Sequence, residues 1–362
     1  MTIDEQYMSR CIQLAKLGAG NVAPNPMVGA VMVYKNKIIG EGYHRKFGEA
    51  HAEVNCINSV IDENKSLIEK STMYVSLEPC SHYGKTPPCA DLIVKNNIKK
   101  VVIGTKDIYK EVAGTGIQKL QNAGLEVVTE VLEKECIDLN KRFFTFHQKK
   151  RPYIILKWAQ SINGKIGSEE KRILISNDYT NRLVHKWRSE ESGVLVGTNT
   201  ALKDDPLLTT RLWQGKNPTR IVIDKKLKLP FSSKLFNREA ETIIFNSVKN
   251  ATQLNLQFIR LEENDFLNQI LHSLFELNIQ SLLVEGGAKT LQSFIEADLF
   301  DEARIIINEE SRIINGIEAP QMKEILLVKQ EKYFSDLVNY YRNKECKILN
   351  YLVDQITTPS KS

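Results

Sequence analysis

The sequence lacks the features of a secreted disulfide-bonded protein and of a membrane protein. It contains six cysteines in 362 residues, too few for a disulfide framework, which favours a reducing compartment. No stretch approaches the 18 or more apolar residues of a membrane span. The N-terminus has Asp4 and Glu5 before any apolar cluster, unlike a signal peptide. We therefore predict a cytoplasmic protein without a membrane partner.

The chain also lacks a strong excess of one charge. Lys and Arg number 49 and Asp and Glu 44, giving a net charge of +5. The basic residues form short clusters rather than one patch, which argues against a nucleic-acid partner. A mild positive balance still permits anionic ligands such as phosphates.

The length and the order of predicted elements indicate two domains of the α/β class. In the first half, a hairpin at 28–43 is followed by alternating helices and strands, which predicts a sheet covered by helices on both faces. We predict a first domain over 1–147, a polar linker at 148–152 and a second α/β domain over 153–362. A helix over 132–146 closes the first domain, and a strand at 346–353 is predicted as the last element of the second.

A candidate metal site lies in the first half. His51, Cys80 and Cys89 supply the three nitrogen and sulfur ligands of a catalytic zinc ion, which keeps one position open for water. Glu53 is left over and can carry a proton from water to a leaving amine. This division of roles matches zinc deaminases, whose signature is H-x-E followed by P-C-x-x-C. Here eight residues separate the cysteines, and a polar loop of that length can bring them together.

Two other interpretations of the cluster stay open at this point. One is a buried histidine and two free cysteines without metal. The other is a closed structural zinc site, for which His82 is the available fourth ligand. The unused Glu53 favours the catalytic interpretation.

Three stretches of the first half resemble a known family. They are PNPMVGAV (24–31), GEAHAEV (48–54) and LEPCSHYGKTPPC (77–89). They are similar to the deaminase half of the bifunctional riboflavin biosynthesis deaminase–reductases, which has a cytidine-deaminase-like α/β/α sandwich. The resemblance implies one zinc ion and contacts to a phosphorylated pyrimidine by Asn25, His44, His82 and Lys85.

Three stretches of the second half resemble the reductase half of the same family, which has a dihydrofolate-reductase-like fold and uses NADPH. They are LKWAQSINGKI (156–166), VGTNTALKDDPLLTTR (196–211) and VEGGAKTLQSF (284–294). The last places two glycines between a strand and a helix, where backbone amides can hold a phosphate. The ordered resemblance extends over residues 4 to 320.

The resemblance implies a set of reductase contacts. For NADPH they are Ala159, Leu174, Thr200, Asp204, Gly287, Ala288, Lys289, Thr290, Leu291, Gln292 and Ser293. For the substrate they are Arg172, Arg188, Leu208, Arg211 and Glu285, in which the guanidinium groups suit phosphate. Leu174 departs from the family, which commonly has tryptophan there. Lys157 and Asp204 are the nearest polar candidates for the reductase acid.

We therefore predict a cytoplasmic enzyme that deaminates a pyrimidine and then reduces its ribosyl group, and that forms a homo-oligomer. One alternative is a nucleoside or nucleic-acid deaminase with an accessory binding half; the long cysteine spacing argues against it. A second is a zinc-stabilised binding protein, which the unligated Glu53 disfavours.

Overall fold

The computed structural model describes residues 1–83, 87–108, 114–168, 170 and 173–344. The chain divides into two compact units after Lys149, inside the predicted linker. Arg151 belongs to the second unit because its guanidinium donates two hydrogen bonds to the buried carboxylate of Asp301, at 2.6 and 2.9 Å. None of the described helices is long and apolar enough to cross a membrane.

The first unit is a mixed sheet between helices. Its described strands are β1 (Gly29–Tyr34), β2 (Lys37–Tyr43), β3 (Thr72–Leu77), β4 (Lys100–Thr105) and β5 (Glu126–Val128). Its described helices are α1 (Ile3–Lys16), α2 (Ala52–Asn58), α3 (Cys89–Lys95), α4 (Thr115–Asn122), α5 (Glu133–Leu139) and α6 (Lys141–Lys149), with a 3₁₀ segment at Asp62–Lys70. The strand order is β2-β1-β3-β4-β5, in which β3, β4 and β5 are parallel.

Alternating strand residues fill a core on each face of this sheet, because successive side chains of a strand point to opposite sides. On one face, Val31 and Tyr74 pack with Met8 and Cys11 of α1. On the other face, the helices α2, α3 and α4 cover Met32 and Val75 with other apolar residues, namely Ala52, Cys56, Ala90, Ile93 and Ile117. The predicted sheet covered on both faces is confirmed.

The closing helix of this unit differs from the prediction. The single helix predicted over 132–146 is two helices, because Asn140 leaves the helical conformation after α5, with φ −104° and ψ 20°. Its side chain bonds instead to the distant backbone of Met27. A pattern of apolar residues alone does not reveal such a break.

The second unit contains a long sheet that is mostly parallel. Its described strands are β6 (Tyr153–Ser161), β7 (Lys165–Ser168), β8 (Gly193–Gly197), β9 (Thr219–Ile223), β10 (Thr242–Asn246), β11 (Ala251–Gln253), β12 (Leu256–Arg260), β13 (Ser281–Gly286), β14 (Glu302–Asn308), β15 (Gly316–Glu318), β16 (Ile325–Tyr333) and β17 (Asp336–Asn343). Its described helices are α7 (Asp178–Glu190), α8 (Thr198–Asp204), α9 (Phe266–Glu276) and α10 (Ala288–Glu296), with a 3₁₀ turn at Lys234–Phe236.

The order of the strands places side by side three strands that contain or directly precede predicted reductase residues. The large sheet runs β11-β12-β10-β9-β8-β13-β6-β14-β17-β16, and β7 pairs with β15 separately. Strands β8, β13 and β6 are neighbours and parallel. The carboxyl ends of these strands therefore lie at the same end of the sheet, which is where ligands bind in open α/β sheets. The strand predicted at 346–353 lies outside the described residues.

Candidate active sites

His51, Cys80 and Cys89 come together in the first unit. Their ligand atoms all lie within 4.8 Å of one another. The Nδ1 atom of His51 is 3.7 Å from Cys80 Sγ and 3.4 Å from Cys89 Sγ. The cluster predicted from the sequence is thus formed by residues from three separate elements.

Helix starts and a strand end position these three side chains. His51 precedes the first residue of α2, Cys80 follows β3, and Cys89 begins α3 after Pro88. The backbone N–H of Cys89 donates to Cys80 Sγ at 3.3 Å, and the next N–H donates to the Cys80 carbonyl at 3.1 Å. The loop between the cysteines therefore closes onto the first turn of α3.

The donor set fits a zinc ion. With zinc bonds of about 2.0–2.1 Å to nitrogen and about 2.3 Å to sulfur, two ligands of a tetrahedral site lie about 3.5–3.8 Å apart. The observed separations from His51 match that spacing. His82 is exposed and is not part of the described cluster, which leaves three protein ligands, as in a catalytic site.

Glu53 lies beside the cluster and is only 3% exposed. Burial raises its pKa to about 7, and the nearby Cys80 thiolate adds to the increase, while a hydrogen bond with Cys89 opposes it. A carboxyl group with a pKa near neutrality can both accept and return a proton. The hydrogen bond with Cys89, aided by His51, lowers the pKa of the Cys80 thiol to about 4, which favours the thiolate that binds metal.

Asn25 and His44 form a wall next to the cluster. Asn25 Nδ2 donates to His44 Nε2 at 3.1 Å, and His44 Nδ1 donates to the carbonyl of Ala50 at 3.1 Å. The His44 ring lies 5.4 Å from the His51 ring, edge to face. These two hydrogen bonds require a neutral imidazole with its proton on Nδ1, and burial, which lowers the pKa of His44, favours that form.

Sequence reasoning missed Glu78, two residues before Cys80. Its buried carboxylate accepts four backbone N–H groups, from Asp107, Gly114, Gly116 and Ile117, at 2.8–3.1 Å. It thereby fastens the start of α4 to the segment that carries Cys80. The LEPC motif contains the signal, since a glutamate directly after a buried strand needs partners.

Sequence reasoning also missed Asn140, which holds the segment containing Asn25. Its Oδ1 accepts the N–H of Met27 at 2.8 Å, and its Nδ2 donates to the Met27 carbonyl at 2.9 Å. No local pattern could have revealed this contact, because 113 residues separate its partners.

In the second unit, two strand–helix turns pack against each other reciprocally. A β-carbon on Gly197, the last residue of β8, would lie 2.4 Å from Thr290 Oγ1. A β-carbon on Gly287, between β13 and α10, would lie 2.9 Å from Thr200 Oγ1. The predicted contacts Thr200, Gly287 and Thr290 are therefore adjacent. No side chain caps the start of α10, so its first N–H groups suit a phosphate of a dinucleotide.

Arg188 and Glu285, both predicted substrate contacts, bind each other. Arg188 Nε and Nη2 donate to the two carboxylate oxygens of Glu285 at 2.6 and 2.7 Å, and both side chains are largely buried. Burial alone would raise the pKa of Glu285, but Arg188 and then Lys157 outweigh it and lower that pKa to about 2. Burial lowers the pKa of Lys157, and Glu285 opposes the decrease.

His185, one turn before Arg188 on α7, is a further residue that the sequence did not indicate. It is 1% exposed, and its pKa falls to about 4 because of burial and then of Arg188 and Arg211. A hydrogen bond with the Thr209 backbone opposes the decrease. Arg188 Nη1 also donates to the Thr209 carbonyl, at 3.2 Å, so α7 contacts the segment between Leu208 and Arg211.

The other predicted residues differ in what their side chains can reach. Leu208 and Leu291 are buried in hydrophobic clusters, so only their backbone is available to a ligand. Leu174 is 81% exposed. Half-buried or exposed positions are held by Ala159, Asp204, Arg211, Ala288, Lys289, Gln292 and Ser293. Lys85 and Arg172 lie outside the described residues.

Two family models match the chain in the expected order. The model of the cytidine and deoxycytidylate deaminase zinc-binding region matches residues 1–105. The model of the RibD C-terminal domain matches residues 152–309. The first match contains His51, Glu53, Cys80 and Cys89.

Relatives match almost the whole chain. The riboflavin biosynthesis protein RibD of Aquifex aeolicus is 40% identical, with 94% of this chain and 98% of the relative covered. RibD of Bacillus amyloliquefaciens is 39% identical, with 88% of each chain covered. A crystal structure of a diaminohydroxyphosphoribosylaminopyrimidine deaminase/5-amino-6-(5-phosphoribosylamino)uracil reductase from Thermotoga maritima has a TM-score of 0.87 at 37% identity, covering 94% of this chain and 99% of that one.

Proposed function

The chain belongs to the RibD family of bifunctional riboflavin biosynthesis deaminase–reductases, and from this premise we propose how its residues carry out the two reactions. Its two domains are the cytidine-deaminase-like and dihydrofolate-reductase-like α/β folds of that family. The proposed substrate of the first is the diaminopyrimidinone with a ribosylamino phosphate. The proposed product of the second carries a ribityl chain.

In the deaminase, Glu53 moves the proton. Water adds to the ring carbon that bears the exocyclic amine, the carbon–nitrogen bond breaks, and ammonia leaves. Glu53 takes one proton from the water and delivers it to the departing amine, which balances the reaction. Its position beside the cluster and its raised pKa support this role.

His51, Cys80 and Cys89 are the proposed zinc ligands. Zinc, when bound, lowers the pKa of a water molecule and so makes it a nucleophile at neutral pH. Asn25 and His44 contact the pyrimidine, as do His82 and Lys85 from the loop between the cysteines. The neutral pair of Asn25 and His44 can exchange hydrogen bonds with the ring without placing a charge beside it.

In the reductase, the turns at Gly197 and Gly287 support NADPH as cofactor. When bound, NADPH would supply a hydride to the ribosyl carbon that is attached to nitrogen. The ring carbon–oxygen bond at that carbon breaks, and its oxygen takes a proton, which gives the open ribityl chain. The uncapped start of α10 offers backbone N–H groups to the cofactor phosphates, with Thr200 alongside. The remaining proposed cofactor contacts are Ala159, Leu174, Asp204, Ala288, Lys289, Thr290, Leu291, Gln292 and Ser293.

The proposed substrate contacts of the reductase divide by charge. Arg211 and Arg172 suit the phosphate. Arg188 orients Glu285, whose ionised carboxylate can accept hydrogen bonds from the substrate, and Leu208 contributes through its backbone. Lys157, adjacent to Glu285 and with a lowered pKa, is the favoured proton donor over Asp204.

The observation that carries this proposal is the placement of Glu53 beside a three-ligand cluster in one unit, with paired glycine turns in the other. Ammonia release and NADPH oxidation should be measured on the purified chain with and without a zinc chelator. Deamination should require the metal, whereas reduction of the deaminated product should not. Ammonia release from nucleic acid, but not from the phosphorylated pyrimidine, would favour the alternative of a nucleic-acid deaminase with an accessory binding half. The homo-oligomer stays a prediction.

A further inference from the structure

The side-chain amide of Asn140 forms two hydrogen bonds with the backbone of a single residue, Met27. The pattern resembles the pairing between the backbones of two neighbouring strands. Its side-chain oxygen accepts from the Met27 N–H at 2.8 Å, and its side-chain nitrogen donates to the Met27 carbonyl at 2.9 Å. Asn140 is 2% exposed. The backbone N–H and the carbonyl of Met27 are thus both hydrogen-bonded by the side-chain amide of Asn140.

Met27 lies in the segment that leads into β1 and that carries Asn25. Asn25 Nδ2 donates to His44 Nε2 at 3.1 Å. One residue after Met27, the carbonyl of Val28 accepts the backbone N–H of His44 at 2.9 Å. The amide of Asn140 is therefore linked to His44 by two short routes, one on each side of Met27.

His44 in turn lies next to the cluster of His51, Cys80 and Cys89, since its ring is 5.4 Å from that of His51. Asn140 itself is not part of that cluster, and the proposed metal ligands and Glu53 lie on other elements, α2, α3 and the end of β3. Loss of the Asn140 bonds should therefore displace the Asn25–His44 wall without removing a ligand or the proton carrier.

We propose that Asn140 is a positioning residue of the deaminase, which holds the 24–28 segment so that Asn25 and His44 meet the pyrimidine. This inference rests on the proposed function of the first unit. It assigns to the end of α5 a role in substrate affinity rather than in the chemical step.

Two variants test the role of the amide. Asn140→Ala removes both bonds, and Asn140→Asp keeps the acceptor for the Met27 N–H but places a second oxygen against the Met27 carbonyl. With the phosphorylated diaminopyrimidinone as substrate, we expect either variant to raise the deaminase KM by about tenfold. The deaminase kcat should stay within about twofold, with one zinc ion bound.

Asn96→Ala is the matched control. Asn96 also ends a seven-residue helix of the same unit, but its Nδ2 donates to Leu92 O within its own helix, at 2.8 Å. It should leave the deaminase KM unchanged. Reductase activity, measured on the same preparations, verifies that the rest of the chain is intact.

The outcomes separate the inference from the proposed function. A wild-type chain that releases no ammonia from this substrate would overturn both. With an active wild type, an unchanged KM in the folded Asn140 variants would overturn the inference, as would an equal effect of Asn96→Ala. Loss of zinc together with loss of kcat would also overturn it. If Asn140→Ala does not fold, the isosteric Asn140→Asp decides.

Discussion

Two buried glutamates show how the neighbours of a carboxylate decide its chemistry. Glu53 lies beside a thiolate, and its pKa is raised to about 7. Glu285 is paired with Arg188, and its pKa is lowered to about 2. Burial disfavours the charged form of both, and only the opposite charge next to Glu285 reverses the effect. Glu53 is thus suited to exchange protons, and Glu285 to remain an anion.

Glu53→Gln should retain zinc and abolish deamination. Glutamine keeps the size of the side chain but cannot accept a proton from water, and lost acid–base catalysis costs about 10²–10⁴-fold in rate. Elemental analysis and ammonia release should be measured on the same sample. Near-normal deamination by the zinc-loaded variant would exclude the proton-carrying role.

Arg188→Met should destabilise the second unit by about 3–5 kcal/mol at pH 7, because it removes the two-hydrogen-bond partner of the buried Glu285 carboxylate and leaves only the charge of Lys157 nearby. Lys186→Met is the control, since Lys186 lies on the same helix in a partly exposed pair with Glu190 at 3.9 Å. Such pairs contribute about 0–1 kcal/mol. Urea unfolding of the full chain measures both free energies.

The Arg188–Glu285 pair also makes the free energy of unfolding of the wild-type chain depend on pH. The pKa of Glu285 is lowered in the folded state from an ordinary value near 4.5 to about 2. Its contribution to the free energy of unfolding is therefore present above pH 4.5 and lost as the pH falls towards 2. Arg188→Met should remove most of this contribution, because Arg188 is the largest cause of the lowered pKa. An equal pH dependence in variant and wild type would contradict the assignment.

At the scale of elements, both units place their chemistry where a helix begins after a strand. Cys89 starts α3, and Gly287 precedes α10. At such points backbone N–H groups lack partners within the helix, and they favour a thiolate or a phosphate. The two turns at Gly197 and Gly287 can approach closely because neither residue has a β-carbon.

Gly287→Val should weaken NADPH binding and reduction while leaving deamination intact. Its β-carbon would lie 2.9 Å from Thr200 Oγ1 and would separate the two turns. Gly167→Val is the control, because a β-carbon there meets no atom within 4 Å. Fluorescence titration with NADPH, with circular dichroism of each variant, measures the effect. A folded Gly287→Val chain that binds NADPH as tightly as wild type would remove Gly287 from the cofactor site.

At the scale of the whole molecule, each unit has its own sheet and its own hydrophobic clusters. The division after Lys149 leaves the His51–Cys80–Cys89 cluster with Asn25 and His44 in the first unit, and the paired glycine turns with the Arg188–Glu285 pair in the second. We propose that the domains function independently.

A fragment of residues 1–149 should therefore bind zinc and deaminate without the second unit. Ammonia release by the fragment, compared with that of the full chain at equal zinc content, tests this expectation. A folded and zinc-loaded fragment without activity would show that the first site needs the second unit. An insoluble fragment would call for a longer boundary, such as residue 152.

The sequence by itself determined the family and the order of the two domains, and it predicted that His51, Cys80 and Cys89 come together. These follow from short local patterns: His51 and Glu53 share one helix start, and Cys80 and Cys89 flank one loop. The kinds of ligand and the leftover carboxylate already indicated a zinc deaminase. The strand–glycine–helix pattern around Gly287 likewise predicted a turn that the structure contains.

Only the tertiary structure decided which distant groups meet. The bonds of Asn140 to Met27 and of Glu78 to the start of α4 join segments far apart in sequence, and packing rather than local preference selects such partners. Arg188 was predicted to meet the substrate, and the fold shows it bound to Glu285, 97 residues away. The sequence indicates which groups are able to react. Their partners and their charge depend on the free energies of burial and of ion pairing, and those energies are set by the whole packed fold.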